Sequence, residues 1–545
     1  MKCAKPDWAP YSWALPFFGS FLVYLITVAP TVTFWDSGEL ISASWCLGIS
    51  HQPGYPLFCI VGKLFSFLPF GNVAYRANLL SAFFSSFSLL ALYFLLIEIS
   101  RRPVLAALAA LLPAFMKAYW SQAVVTKPLA LNSLFVTLLA LTWVLAARKK
   151  LSPERYFAAS GLVFGLGVVN HQSLILYAPA LIISWAVLQG PDLRQRLKLS
   201  TLSLFFIMLG LCVYLYLPIR ATAGPLMDLG HPDNYGRFAW TVKWGEYFRA
   251  GIPFNNILAL VKKINIMDPR IIIGAPAALL LIFRMLRREW RLYLPLLVFL
   301  LVYLAGISMQ TLGSEEDNKF GLAAKYFIPV FVMAVPLIYA EAVELWDASK
   351  IWKALIAAVF AGFIVLLLAR NFFVEDNSRH FFAYDYAQDS LKSTGERGVL
   401  FTWGDNGAFP LWYLHDVEKY RDDAVIIHAP LMTYDWYLRD VNGWLGADIK
   451  YLDPYFLGEN VYRVYRAVTP GRTVAYDFST VKFLGMDQNA LKVRGLVSFE
   501  GPTPPGEPWK FYVLRNVDDP DVYKDPMAEN ITEIYNYQNS LRSLR

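Results

Sequence analysis

Long apolar runs alternate with short polar loops from Tyr11 to about residue 371. Runs long enough to cross a hydrocarbon core of about 30 Å recur throughout this part of the chain. They predict about eleven membrane-spanning helices, at 11–31, 77–98, 103–119, 129–147, 156–169, 173–189, 200–218, 270–286, 291–309, 325–345 and 352–371. The pair at 156–169 and 173–189 is short, which is typical of spans that are tilted or buried among neighbours.

Beyond residue 371 the pattern changes. Short runs at 398–402, 424–428 and 509–514 alternate apolar and polar positions and predict strands, and a helical pattern lies at 383–392. The fold class is therefore a multi-pass α-helical membrane protein with a C-terminal soluble α/β domain. We expect a transmembrane domain over 1–371 and an extracytoplasmic domain over 372–545, which is long enough for a core of its own.

Composition agrees with membrane insertion. Hydrophobic residues make up 56% of the 545-residue chain and charged residues only 17%, which excludes an ordinary soluble protein. The net charge of +7 lies in short clusters on alternate loops, such as Arg101-Arg102 and 148–150, and does not indicate a nucleic-acid partner. Cytoplasmic loops are enriched in Lys and Arg. We therefore expect a bacterial inner-membrane protein, surrounded by lipid, with a cytoplasmic N-terminus and an extracytoplasmic C-terminal domain.

Two carboxylates follow the first apolar run, Asp36 and Glu39. Three residues apart on a helical turn, they would share one face, where one carboxylate can raise the pKa of the other. A carboxylate beside a membrane suits a transferase that takes its donor from a lipid carrier. The alternative is structural: Asp-Ser-Gly is a good helix start, with Asp36 as the cap and Glu39 at the capping-box position.

Several motifs resemble one family. They are 34–39 (FWDSGE), 51–56 (HQPGYP), 75–82 (YRANLLSA), 167–171 (GVVNH), 217–221 (LPIRA) and 402–413 (TWGDNGAFPLWY). In this order they resemble a family of polytopic bacterial proteins whose animal relative is the O-mannosyltransferase of plexins and certain receptor kinases. The resemblance implies a glycosyltransferase of the GT-C type, with its essential acid in the first outer loop.

The resemblance also implies the reaction. The donor would be a polyprenyl- or dolichyl-phosphate sugar carrying mannose or a similar hexose, and the acceptor a protein hydroxyl or a glycan. Asp36 is the expected general base, within reach of the acceptor hydroxyl. Glu39 would hold the acceptor or tune Asp36. Trp35 would exclude water, and Gly38 would leave room for a sugar.

A lipid phosphate needs cations. Arg220 is the first candidate because its guanidinium can hold phosphate oxygens through two bonds, although a snorkelling arginine at a span end is the alternative. Arg76 and Lys127 are further candidates, and either alternatively anchors a span. Lys127 stands where the resembled family usually has an acid.

The substrate pocket is expected to include Trp35, His51, Tyr55, Asn170 and His171. A single histidine at a membrane edge is more often a structural hydrogen-bonding residue, as we expect for His171. The run 404–407 (GDNG) is typical of a turn, or of a glycan site at a strand's carboxyl end. Asp36 and Glu39 offer oxygen ligands for a divalent metal, but the first loop has no Asp-x-Asp, so no obligatory metal or other cofactor is expected.

Two other function classes remain open. One is a membrane transporter or flippase for lipid or glycan, whose signature would be ionisable residues within the spans and broken, repeated helices. The other is a non-catalytic, membrane-anchored protein that binds or assembles glycans. Convergence of Asp36, Arg220 and His51 on one outward-facing cavity would distinguish the enzyme from both.

Overall fold

The computed structural model describes residues 11–243, 289–306, 327–469 and 471–505 apart from 488 and 502, together with positions 287, 512 and 515. In the N-terminal part, the helices up to residue 242 are α1 (Ser20–Thr27), α2 (Ser37–Cys46), α3 (Pro56–Ser66), α4 (Val73–Ser100), α5 (Pro103–Leu111), α6 (Lys117–Ala123), α7 (Leu129–Ala147), α8 (Pro153–Asn170), α9 (Ala178–Val187), α10 (Leu193–Leu211), α11 (Tyr216–Thr222) and α12 (Tyr235–Val242). After them come α13 (Glu289–Gly306), α14 (Ile328–Ala348) and α15 (Lys350–Glu375).

Among the described residues, six helices are long and apolar enough to cross a membrane. They are α4, α7, the continuous stretch Leu193–Thr222, α13, α14 and α15. Each lies on a predicted span, so a multi-helix membrane protein is confirmed. The count of eleven spans is not reproduced by these six, and the predicted span at 270–286 lies outside the described residues.

The remaining predicted spans are shorter or interrupted. The run 103–119 forms two helices because Pro113, which cannot donate a backbone hydrogen bond, follows the end of α5. Leu15–Thr27 and Gln172–Val187 are apolar but short. The run 156–169 lies within α8, where Gly161 and Gly165 allow close approach to the backbone of α10.

The helix bundle has two chemically different ends. At one end, Arg148 donates to both carboxylate oxygens of Glu289 at 2.8 Å and to backbone carbonyls at the end of α4. Lys150 pairs with Glu98 there at 2.6 Å. Asp36 and Lys127 lie at the opposite ends of α4 and α7. The basic clusters thus collect on one side and the candidate site on the other.

The C-terminal part contains one mixed sheet. Its strands are β1 (Val399–Thr402), β2 (Val425–His428), β3 (Val474–Asp477), β4 (Lys492–Arg494) and β5 (Val497–Phe499). The order is β2-β1-β3-β5-β4, with β1 parallel to β2 and β3, and β5 antiparallel to its neighbours. The strands predicted at 398–402 and 424–428 are confirmed. Most of the strand predicted at 509–514 lies outside the described residues.

Helices cover this sheet: α16 (Phe382–Ser393), α17 (Asp405–Trp412), α18 (Asp435–Leu445), α19 (Leu457–Val468) and α20 (Phe478–Phe483). The helix predicted at 383–392 is α16. Part of the sheet's core is shared with the first outer loop, because Phe34 packs its ring 5.9 Å from Phe382 and 6.1 Å from Tyr386. One buried apolar cluster therefore joins the first loop to the C-terminal region.

Candidate functional site

A buried asparagine on α4 holds the two loops that carry the site. Asn78 donates to the carbonyls of Ala29 at 2.9 Å and Thr31 at 3.0 Å, in the segment after α1. Its own oxygen accepts from the Thr126 hydroxyl at 2.6 Å. Because one side chain ties both loops, the residues that follow, Asp36 and Lys127, lie side by side. Asn78 belongs to the 75–82 motif but was not predicted as a site residue.

Asp36 forms an ion pair with Lys127. The ammonium nitrogen donates to Asp36 Oδ2 at 2.6 Å, and the side chains are 27% (Asp36) and 7% (Lys127) exposed. Asp36 occupies the N-cap position of α2, but its side chain makes no capping hydrogen bond to this helix. Its backbone is helical, with φ −63° and ψ −4°, whereas capping side chains usually require an extended backbone. Lys127, and not a capping bond to its own helix, therefore holds the carboxylate.

Glu39 is completely buried and paired with His51. Its carboxylate accepts from the backbone N–H of His51 and contacts the ring Nδ1 at 2.6 Å. Burial lowers the pKa of His51. The charge of Glu39 and the hydrogen bond to it, with smaller contributions from Asp36 and Asp405, together outweigh burial and raise that pKa to about 9. His51 is then protonated at neutral pH, and its charge balances the buried Glu39 carboxylate. Glu39 holds the loop rather than completing a capping box.

Three further predicted pocket residues pack beside this pair. The ring of Tyr55 lies 5.2 Å from that of His51 and 6.2 Å from that of His171. His171 Nδ1 contacts the Ser173 hydroxyl at 2.7 Å, at the start of a short 3-10 helix. Asn170 donates to the carbonyl of Pro128 at 3.1 Å and so fixes the residue after Lys127. The structure thus brings Tyr55, Asn170 and His171 close to the two ion pairs, one of which contains His51 itself.

The C-terminal region completes this end of the molecule. Asn406 Oδ1 accepts from the backbone N–H of Trp35 at 2.6 Å, and Trp35 has a left-handed backbone with φ 62°. A Cβ on Gly38 would lie 2.1 Å from the carbonyl oxygen of Phe409. The expectation that Gly38 leaves room for a sugar is therefore wrong, since the backbone of α17 fills that space. The glycine serves close helix packing instead.

Asp405, at the start of α17, was not predicted as a catalytic residue. Loss of hydration and then the nearby Asp36 carboxylate raise the pKa of Asp405 to about 6, with Glu39 adding to this and His51 and Lys127 opposing it. The residue is nevertheless exposed on one side. The signal in the sequence was the run 404–407 after β1. One interpretation of that run was a glycan site at the carboxyl end of a strand.

Arg220 and Arg76 make other contacts. Arg220 donates to the carbonyls of Leu47 at 2.6 Å and Cys46 at 3.4 Å, and so caps the carboxyl end of α2. Ten helical residues separate that end from Asp36, a distance of about 15 Å. Arg76 donates to the carbonyls of Ser66, Phe70 and Gly71 and closes the loop between α3 and α4. These contacts support structural roles for both arginines.

A cavity of about 360 Å³ lies at the basic end of the bundle, lined by Arg148, Gln189 and Glu289 among others. It contains none of the candidate residues. Within the described part of the chain, no group of three or more His, Cys, Asp or Glu side chains is arranged to hold a metal ion.

Two family models match the chain. Residues 36–190 match the Protein O-mannosyl-transferase TMEM260 N-terminal domain, and residues 383–444 match TMEM260-associated domain 2. The first match begins at Asp36 and includes Lys127, and the second includes Asp405 and Asn406. Both matched segments therefore contribute to the same site.

Similar proteins carry the same name. Protein O-mannosyl-transferase TMEM260 of Mus musculus is 26% identical over 444 residues, covering 76% of this chain and 62% of that protein. Protein O-mannosyl-transferase tmem260 of Dictyostelium discoideum is 22% identical over 471 residues, covering 78% of this chain and 58% of that protein. The chain thus spans about six tenths of the length of these relatives.

The fold is also similar to a solved structure, ArnT from Cupriavidus metallidurans bound to undecaprenyl phosphate. The TM-score is 0.55 at 12% identity, with 92% of this chain and 100% of that chain covered. At this identity the match concerns the fold. Together with the sequence matches, it confirms the resemblance found in the motifs.

Proposed function

Because the chain is a distant homologue of the TMEM260 protein O-mannosyltransferases, we propose that it transfers a sugar from a polyprenyl-phosphate carrier to an acceptor outside the cytoplasm. The sugar is mannose or a similar hexose, and the acceptor is a protein Ser or Thr hydroxyl. The related ArnT fold, solved with undecaprenyl phosphate, supports a lipid-phosphate donor.

The observation that carries this proposal is the Asp36–Lys127 pair, at 2.6 Å. It joins an anion that can accept a proton to a cation that can bind a phosphate, at the end of the bundle opposite the basic clusters. Because basic clusters favour the cytoplasmic side, this end faces away from the cytoplasm. The C-terminal region, which packs on the same end, is then extracytoplasmic.

Asp36 acts as the general base. The acceptor oxygen attacks the anomeric carbon of the sugar, and the bond from that carbon to the phosphate oxygen breaks with its electron pair leaving on the phosphate. The hydroxyl proton passes to Asp36. A polyprenyl phosphate is a good leaving group, so the base is needed mainly to remove this proton as the new bond forms.

Lys127 cannot serve the phosphate while it remains on Asp36. In an inverting displacement the base and the leaving group lie on opposite faces of the sugar, and in inverting glycosidases the paired catalytic groups are about 6.5–9.5 Å apart. A contact of 2.6 Å leaves no room for a sugar between Lys127 and Asp36. We infer that the donor phosphate draws the Lys127 ammonium away from Asp36. That exchange also makes Asp36 a stronger base, because a nearby cation stabilises the ionised carboxylate.

Glu39 and His51 hold the loop in which this exchange occurs. Their opposite charges lie near Asp36 without adding net charge to the site. Asn170 and Asn78 fix the Lys127 loop from behind. The Lys127 side chain can then move while its backbone stays in place.

The test is an Asp36→Asn variant of the full chain, assayed for sugar release from a mannosyl-phosphoryl-undecaprenol donor, with membrane proteins from cells lacking the gene as acceptors. The amide keeps the size of the side chain but cannot take the proton. We expect turnover to fall by about 10²–10⁴-fold. The melting temperature should fall as well, because the largely buried Lys127 ammonium loses its anion, but the protein should remain folded.

Asp422→Asn is the matched control, because Asp422 is an exposed carboxylate of the C-terminal region. It should retain wild-type turnover. A folded Asp36→Asn protein with normal turnover would remove Asp36 as the base. Mass spectrometry of Ser and Thr residues on extracytoplasmic proteins, with and without the gene, tests the acceptor class.

A further inference from the structure

We propose that Asp405, which the C-terminal region brings against the first outer loop, takes the reaction's proton from Asp36 and passes it to solvent. This inference rests on the proposed sugar transfer. It gives the C-terminal region a chemical part in the reaction and assigns a role to a residue outside the predicted site.

The geometry places Asp405 beside the base. Trp35 precedes Asp36 in the chain, and Asn406 follows Asp405. The backbone N–H of Trp35 donates to Asn406 Oδ1 at 2.6 Å. The close packing of Gly38 against Phe409 fixes α2 and α17 at the same point. These two contacts hold the segments that carry the two carboxylates against each other. Asp405 is the more exposed of the two residues.

The charges around Asp405 come from the N-terminal part of the chain. Asp36 and Glu39 face it from the start of α2, His51 from the loop after α2, and Lys127 from the loop before α7. The two carboxylates favour proton uptake by Asp405, and the two cations oppose it. Lys127 is paired directly with Asp36, so its charge stabilises the ionised form of Asp36 most strongly. In the resting site a proton is therefore more stable on Asp405 than on Asp36.

The proton step completes the reaction. During transfer the acceptor O–H bond breaks, the oxygen–carbon bond forms, and the proton goes to Asp36 while the lipid phosphate leaves. When the lipid phosphate departs, Lys127 returns to Asp36. The proton then moves from Asp36 to the ionised Asp405 and from there to water. The site returns to two carboxylates and the Lys127 cation, with one proton released per sugar transferred.

The pH profile of turnover tests this role, using the full chain and the same undecaprenol-linked donor. Asp405 accepts a proton only when ionised, so wild-type turnover should fall as the pH drops through about 6, the raised pKa of Asp405. In Asp405→Asn we expect turnover at pH 7.5 to be about tenfold lower, since a proton relay contributes less than the base itself. The acidic limb near pH 6 should disappear, and the KM for donor should stay within about twofold.

Further variants distinguish a proton relay at Asp405 from a structural role of this residue. Asp405→Glu should restore the acidic limb, and Asp422→Asn should match the wild type. An Asp405→Asn protein with wild-type turnover and the limb retained would overturn the proposal. A loss of turnover with an unchanged pH profile would also overturn it, because it indicates a packing role. If the wild-type chain releases no lipid phosphate, the proposed function fails first.

Discussion

Replacing Gly38 by Ala tests whether the C-terminal region must dock on the first loop. The added Cβ would lie 2.1 Å from the carbonyl oxygen and 2.5 Å from the carbonyl carbon of Phe409. Both atoms are backbone, so no side chain can rotate away. A relaxed carbon–oxygen contact is about 3.3 Å or longer, so α2 and α17 must separate by roughly 1 Å.

The Gly38→Ala substitution has opposing effects on the free energy of unfolding. Alanine is favoured over glycine inside a helix by about 0.5–1 kcal/mol. Overpacking costs about 1–3 kcal/mol, and loss of the Trp35–Asn406 hydrogen bond adds about 0.5–1.5 kcal/mol. Packing therefore outweighs helix propensity, and we expect a net loss of about 2 kcal/mol. Since Gly38 is two residues from Asp36, turnover should fall too, because a displacement of about 1 Å can cost about 10²-fold in rate.

The assay measures the melting temperature of the purified full chain and its turnover. The control is Gly443→Ala in α18, where a Cβ would meet no atom within 4 Å. That variant should melt at or slightly above the wild-type temperature. If Gly38→Ala behaves like Gly443→Ala, with normal turnover, activity does not require the contact between α2 and α17. That result would contradict a site shared by the first outer loop and the C-terminal region.

Two further predictions concern the His51–Glu39 pair and Arg220, which were expected at the site and make structural contacts. The pKa of His51 is raised from 6.5 to about 9, so its pairing with Glu39 adds stability that is complete below pH 6.5 and lost as the pH rises through about 9. This pKa shift corresponds to about 3 kcal/mol of folding free energy. Glu39→Gln should therefore lower the melting temperature most at pH 6. An equal loss at pH 6 and pH 10 would contradict the pairing. Arg220→Lys should lower the melting temperature, at a cost of about 1 kcal/mol for a lost hydrogen bond, and leave the donor KM unchanged. A raised donor KM would instead support the phosphate contact first assigned to Arg220.

Hydropathy predicted the long spans and the short strands because both are set by local pattern. Runs such as α4 and α7 are predominantly apolar, and β1 and β2 are bounded by polar turns. The break between α5 and α6 was available in Pro113, but the run around it is apolar enough to suggest one span. Local pattern therefore predicted the elements better than their interruptions.

The site was harder to predict because its contacts are between distant residues. Asp36 and Lys127 are 91 residues apart, and no local signal states that they pair. Arginine suits a phosphate and a helix carboxyl end equally well, so only tertiary placement distinguishes the two roles of Arg220. Similarly, Gly38 suits an open pocket or close packing. The family motifs lie on the segments that form the candidate site, and the structure supplied the partners of their residues.

The contact between Trp35 and Asn406 also has a consequence for biosynthesis. The two residues are 371 positions apart in the chain. At about 5–20 residues per second, a ribosome needs roughly 20–70 s to add the second after the first. During that interval the first loop has no α17 to cover it, and Phe34 lacks its ring partners. A chain that stops before residue 406 carries Asp36 and Lys127 but lacks Asn406, so the proposed transferase activity requires synthesis to continue past this residue.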